Sequence, residues 1–289
     1  MSFSRLMLEV KILQRLLKPN DFRAAIGALV ATAPSIVSRK NLTAFDERMS
    51  RDLEICYNGK SVVIPAATID RQLAGTGDNA SFGVVREMFG SDVYLRGIKP
   101  LRDVTVVLDL GSNRGFFSLL AYKLWGPKTI VAVEPTKHYN ASFAIIVSSN
   151  SIPADAVQRV NLFIGATNDE KTITIGKLMD DHGIGRADFV KCDIEGSEYA
   201  AFSGNPETVK RIANLAMELH PWCGHNSTLV RFLTSTGMTV MTTDQNGHIV
   251  EPDRALYLYA SREGQIKPVY FAEGVTARSP FSVGTPMRS

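Results

Sequence analysis

The sequence predicts an α/β fold: a parallel sheet with helices on both faces, an antiparallel edge pair near its C-terminal end, and an N-terminal extension of helices and a hairpin. Three observations predict it. From Val104 onward, β-prone apolar runs alternate with amphipathic segments. Runs such as Val106-Val107-Leu108 are apolar throughout, as expected of strands buried on both sides. Several of them end in an acid, at Asp109, Glu134, Asp193 and Glu218. The carboxyl ends of such strands are where open α/β sheets hold ligands.

In chain order, Phe3, Leu6, Met7, Val10, Leu13 and Leu17 recur at helical spacing. Pro19 is expected to end that helix, and Asn20-Asp21 to cap a second one running to about Pro34. Leu53 to Pro65 holds two β-prone runs joined by Asn58-Gly59, a type I′ hairpin signal. Ala74 to Ser81 reads as a loop, with Asn79 or Ser81 capping a helix that ends near Gly90. Residues 1–80 thus form an accessory region, 81–262 the ligand-binding domain and 263–289 a polar tail.

Within the domain, strands are expected at 104–110, 129–133, 160–164, 172–175, 189–192, 214–219, 239–243 and 255–260. The last two form the antiparallel edge pair. Helices are expected at about 115–125, 137–149 and 227–236.

Bulk properties narrow the class. The chain has 289 residues, 45% hydrophobic and 21% charged, enough to bury a large core. A net charge of +3 does not argue for nucleic acid. Residues 1–51 carry nine Lys and Arg against four Asp and Glu, leaving 23 against 25 for the rest. That basic front could touch acidic lipid or an anionic substrate, a solvated helix face being preferred, and the apolar stripe of the first helix suits packing on its own domain or a homodimer contact over peripheral membrane contact. Cys56, Cys192 and Cys223 are widely spaced and lack a CxxC pair, which argues against a disulfide framework or structural zinc and fits a reducing cytoplasm. No segment approaches a membrane span. A soluble cytoplasmic protein is expected.

The turn Gly111-Ser112-Asn113-Arg114-Gly115 discriminates among ligands. It lacks the lysine and spacing of a phosphate-binding P-loop. Asn113 stands where a dinucleotide fingerprint needs its middle glycine. S-adenosylmethionine carries no phosphate. Its carboxylate can meet the turn amides and its ribose hydroxyls Glu134, while Asp109 can meet its ammonium or structure the turn.

The chain also resembles the FkbM-type methyltransferases. The resemblance lies in VLDLGSNRGFFS (107–118), VAVEP (131–135), DFVKCDIEGSEYAAF (188–202) and MELH (217–220), and covers roughly residues 84–260. Lys191, Asp193, Glu195, Gly196 and Glu198 reproduce the family's K-x-D-x-E-G-x-E string. Ser112 stands where the family often has alanine. The resemblance implies a class I methyltransferase (Rossmann-like) fold, S-adenosylmethionine as donor and commonly a hydroxyl oxygen as acceptor. The expected cofactor set is Asp109, Gly111, Ser112, Asn113, Gly115, Glu134 and Asp193. An NAD-linked oxidoreductase and a non-catalytic binding module are the alternatives.

An alcohol acceptor needs a proton sink beside the strand ends. His220 is the first choice, since its ordinary pKa lies near neutrality. Asp193 and Glu195 can bind acceptor hydroxyls or act as base, and Glu198 is expected in a helix cap or first turn. Asp193, Glu218 and His220 could together hold a divalent metal, but they come from separate loops and the spacing does not demand it, so no metal ligand set is assigned. Arg114 is expected either at the cofactor carboxylate or in solvent, and Tyr94 over the cofactor. The acceptor is expected to be a small molecule, sugar or glycan.

Overall fold

The computed structural model describes residues 3–267, so most of the polar tail lies outside the described residues. Helices α1 (Phe3–Leu16), α2 (Pro19–Arg39) and α3 (Thr43–Arg48) lead into the hairpin of β1 (Asp52–Tyr57) and β2 (Lys60–Pro65). Asn58 and Gly59 join the strands with φ of 48° and 75°, the two positive values that a type I′ turn demands. Two expectations for α2 are corrected. Pro19 occupies its first turn, where a missing N–H costs nothing, and Lys18 is the N-cap residue in place of Asn20-Asp21. The helix also continues through Pro34. The carbonyl that loses its partner there belongs to Val30, which is 71% exposed, so water can satisfy it.

Helix α4 (Ala66–Gln72) follows the hairpin, and α5 (Ser81–Val85) runs directly into a π-helical turn, Arg86–Gly90. Arg86 is buried there between two acids. Its guanidinium meets Glu9 of α1 at 3.0 Å and Asp46 of α3 at 3.1 Å. A cation that has left water needs such paired partners.

The main sheet then begins with β3 (Val106–Leu110), α6 (Phe116–Trp125), β4 (Thr129–Val133), α7 (Tyr139–Ser149) and β5 (Val157–Val160). A small parallel pair, β6 (Phe163–Ile164) and β7 (Thr172–Ile173), precedes α8 (Ile175–Asp181) and β8 (Phe189–Cys192). Helices α9 (Glu198–Phe202) and α10 (Pro206–Lys210), β9 (Asn214–Glu218), α11 (Asn226–Ser235), β10 (Thr239–Thr243) and β11 (Tyr257–Ser261) complete the order. The seven strands lie in the order β10-β11-β9-β8-β3-β4-β5. Six run in one direction, while β11 lies antiparallel between β9 and β10. This is the class I methyltransferase architecture that the motifs imply.

The strand expected at 160–164 is divided. Val160 ends β5, and Phe163 starts the separate pair with β7. Asn161 sits at the break, its amide donating to the Glu134 carbonyl at 2.9 Å and to Asn140.

Alternate residues of the central strands serve two cores. Val107, Ile130 and Phe189 face one cluster, and Leu108, Val131 and Val190 the other. The first cluster also takes Leu13, Phe45, Ile55, Phe82 and Phe89 from the N-terminal elements, together with Phe117 of α6. The N-terminal side chains and the sheet therefore bury apolar surface against each other.

Candidate functional site

The carboxyl ends of β3, β4, β8 and β9 share one edge of the sheet, and the candidate residues gather there. At β3 the chain turns sharply through Gly111, with φ of 72°. A methyl group on Gly111 would lie 1.5 Å from the Asp193 carbonyl oxygen, so this close crossing of β3 and β8 exits admits only glycine. At Gly115, an added Cβ would strike the Phe143 ring at 2.5 Å.

Every amide of the turn has a partner within the protein. Gly111 and Ser112 donate to the Val133 carbonyl at 2.9 Å each, and Gly115 donates to Ser112 at 2.7 Å. The Asn113 amide donates to Glu134 Oε2 at 3.0 Å, and the Arg114 amide to Asn113 Oδ1 at 2.8 Å. These bonds close the turn on itself.

Asp109 is fully buried beneath the turn. Its Oδ2 accepts from the Ser118 hydroxyl at 2.6 Å, and Lys191 Nζ lies 3.6 Å from Oδ1. It structures the turn and does not reach the surface to meet an ammonium. Lys191, also buried, donates to the Gly111 carbonyl at 2.5 Å. Burial works against its charge, but Asp193 and Asp109 hold its pKa above the ordinary value. Glu134 braces both sides of the next turn, because its Oε1 accepts from the Thr136 amide at 2.9 Å. Each of its oxygens keeps a further lone pair for a hydroxyl.

Arg114 takes neither expected position. It is buried, donating to Ser81 Oγ at 3.2 Å and the Asn79 carbonyl at 2.8 Å, and so ties the 79–81 loop to the turn. The cation beside the turn is Arg159. It donates to Ser112 Oγ at 2.7 Å and to the Asn113 carbonyl at 2.8 Å, stacked 4.5 Å from the Phe143 centroid. No sequence motif marked it.

Beside the turn, β8 and β9 bring Asp193, Glu195 and His220 together. Donor atoms of these three lie within 4.8 Å of one another. His220 is 4% exposed. Its Nδ1 bonds Glu198 Oε1 at 2.8 Å, while its Nε2 faces Glu195 Oε2 at 3.4 Å and Asp193 Oδ1 at 4.0 Å. Glu198 also accepts from the Ile194 amide at 3.0 Å, so the first-turn role expected for it and the orientation of His220 fall to one carboxylate. Burial opposes the imidazolium, but Glu198, with Asp193 and Glu218 behind it, raises the His220 pKa.

Glu218 is not part of the trio, in contrast to the metal grouping the sequence suggested. The Tyr94 hydroxyl donates toward Glu218 Oε2 at 3.2 Å and Asp193 Oδ2 at 2.9 Å. Tyr94 is thus a buried clamp on two acids, not a cover. Burial, then the neighbouring Asp193 charge, pushes the Glu218 pKa up to about 7. Trp222, 72% exposed, packs edge-on against His220 with centroids 4.8 Å apart.

Residues 140–237 match the family model of the methyltransferase FkbM domain. That segment is similar to an FkbM methyltransferase domain. The match takes in Asp193, Glu195, Glu198 and His220, and begins after the Gly111–Gly115 turn, a narrower span than the motifs suggested.

Among solved structures, a methyltransferase FkbM from Methylobacillus flagellatus KT is similar at 16% identity with a TM-score of 0.42, covering 67% of this chain and 57% of that one. A precorrin-6y C5,15-methyltransferase from Geobacter metallireducens GS-15 is similar at 18% identity and a TM-score of 0.38, covering 56% and 82%. An rRNA methylase from Streptococcus thermophilus gives 12% identity and 0.38, covering 56% and 87%. No curated protein matches the sequence. Among the described residues, no helix is long and apolar enough to cross a membrane.

Proposed function

We propose that the FkbM domain transfers the methyl group of S-adenosylmethionine to a hydroxyl oxygen of a small molecule, sugar or natural product. The observation that carries this reading is the buried His220–Glu198 pair, aimed at two carboxylates on the same sheet edge as the glycine turn. The donor set fits the cofactor's chemistry. Glu134 and Asp193 are acceptors for ribose hydroxyls and an ammonium, and Arg159 is the cation nearest the turn for a carboxylate. The cofactor supplies an already activated methyl group, so the protein's task is alignment and removal of one proton.

In the transfer, the acceptor oxygen forms a bond to the methyl carbon as the carbon–sulfur bond breaks, its electron pair staying on sulfur. The acceptor's proton leaves toward the cluster of His220, Asp193 and Glu195. The weak overall charge favours a small acceptor over a nucleic acid.

Calorimetry with S-adenosylmethionine and with its demethylated product tests the donor. Binding of both is expected, and binding of neither overturns the reading. Transfer of labelled methyl into a cell extract of the producing organism, followed by mass identification, names the acceptor.

A further inference from the structure

The geometry points to a divalent-cation site formed by Asp193 Oδ1, Glu195 Oε2 and His220 Nε2, placed to chelate two adjacent oxygens of the acceptor. This rests on the reading of that edge as the acceptor site, and goes beyond it by giving the trio a shared ligand.

Each donor atom is the free one of its side chain. Asp193 Oδ2 is held by the Tyr94 hydroxyl at 2.9 Å, which leaves Oδ1 toward the histidine. Among the described residues, no hydrogen bond reaches His220 Nε2 or the Glu195 carboxylate. His220 is more than nine-tenths buried, and its Nδ1 is committed to Glu198, itself fully buried. A carboxylate on one ring nitrogen fixes the tautomer and turns the lone pair of the other outward, the arrangement that accompanies metal-binding imidazoles.

The spacing agrees. A cation bound at about 2.1 Å from each ligand sets them about 3.0–3.5 Å apart in octahedral or tetrahedral geometry. The Nε2 separations are 3.4 Å and 4.0 Å and all three donor atoms lie within 4.8 Å of one another, so a cation would draw the two carboxylates inward. Two carboxylate oxygens and one imidazole suit manganese, iron or zinc better than a soft ion. The Glu195 side chain is 82% exposed, so the remaining coordination positions open to solvent and to an acceptor. A vicinal diol or a 2-hydroxy carboxylate has the matching pair of oxygens. A bound cation would take His220 as a ligand and would itself acidify the coordinated acceptor hydroxyl, whose proton would then pass to solvent on the exposed Glu195 side.

The test uses the full chain stripped with chelator and titrated with Mn2+, free ion being followed by electron paramagnetic resonance. One saturable site per chain is expected. Glu195→Gln, at an exposed side chain, should weaken it about tenfold or more, and Glu198→Gln by about ten- to a hundredfold. Thermal melts confirm that each variant is folded. Wild-type protein that leaves Mn2+ free overturns the site, as does a folded Glu195→Gln chain that binds Mn2+ as tightly as wild type. Calorimetry with the demethylated cofactor runs in parallel. Mn2+ binding without cofactor binding would refute the methyl-transfer reading and leave the cation site standing.

Discussion

The turn after β3 and the edge after β8 lie side by side, and they are built on opposite rules. In the turn, all five amides from Gly111 to Gly115 find partners within the protein, and Asp109 is matched by Ser118 and Lys191. At the edge, Asp193, Glu195 and His220 turn donor atoms toward one another at 3.4 Å and 4.0 Å from His220 Nε2, with no hydrogen bond between them. A saturated turn is a rigid surface for a ligand to lie on. An unsaturated edge keeps its polar atoms for a ligand or a proton, and electrostatic stabilisation comes from groups held ready in this way. On the proposed reading, the difference assigns the chemistry to β8 and β9 and a positioning role to β3.

Variants can break or sharpen this contrast. Largest in effect, Gly111→Ala should destabilise the fold by about 3 kcal/mol or more, since the clash is with backbone at positive φ. A thermal melt would show it, and an unchanged midpoint would mean that the crossing has slack. His220→Ala should lower turnover by about 10²-fold or more while leaving cofactor affinity within about twofold. Equal losses in both would merge the two regions into one. Glu134→Ala should weaken binding of the demethylated cofactor by about tenfold through loss of the braces on Asn113 and Thr136, and calorimetry reads it directly. Smallest of all, Glu195→Ala should change stability by less than about 0.5 kcal/mol in denaturant, because its side chain is exposed.

The same contrast explains what was legible in the sequence. Strands 129–133, 189–192 and 239–243 match the structure residue for residue, because apolar runs bounded by polar or glycine positions announce themselves. The 160–164 run misled, since Asn161 makes contacts with Glu134 and Asn140 that no local pattern carries. Proline was over-read at 34, where only the exposure of Val30 decides the outcome. At the site, the acids at the strand ends were visible as residue types. Their division into a Tyr94 clamp and a free trio depends on partners about a hundred residues apart, as with Tyr94 and Asp193. Arg159 and Arg114 were obscure for the same reason.

The buried Arg86 has a consequence for how far the chain can be shortened. It draws counter-charge from Glu9 and Asp46, and lies eight residues before Tyr94, whose hydroxyl rests on Asp193 and Glu218. A truncation that removes α1 strands half of that ion network in the interior, at a cost of about 3–5 kcal/mol. The main sheet is therefore not a detachable module. A minimal domain cut from this chain would have to keep its first helix or replace Arg86 with an apolar side chain.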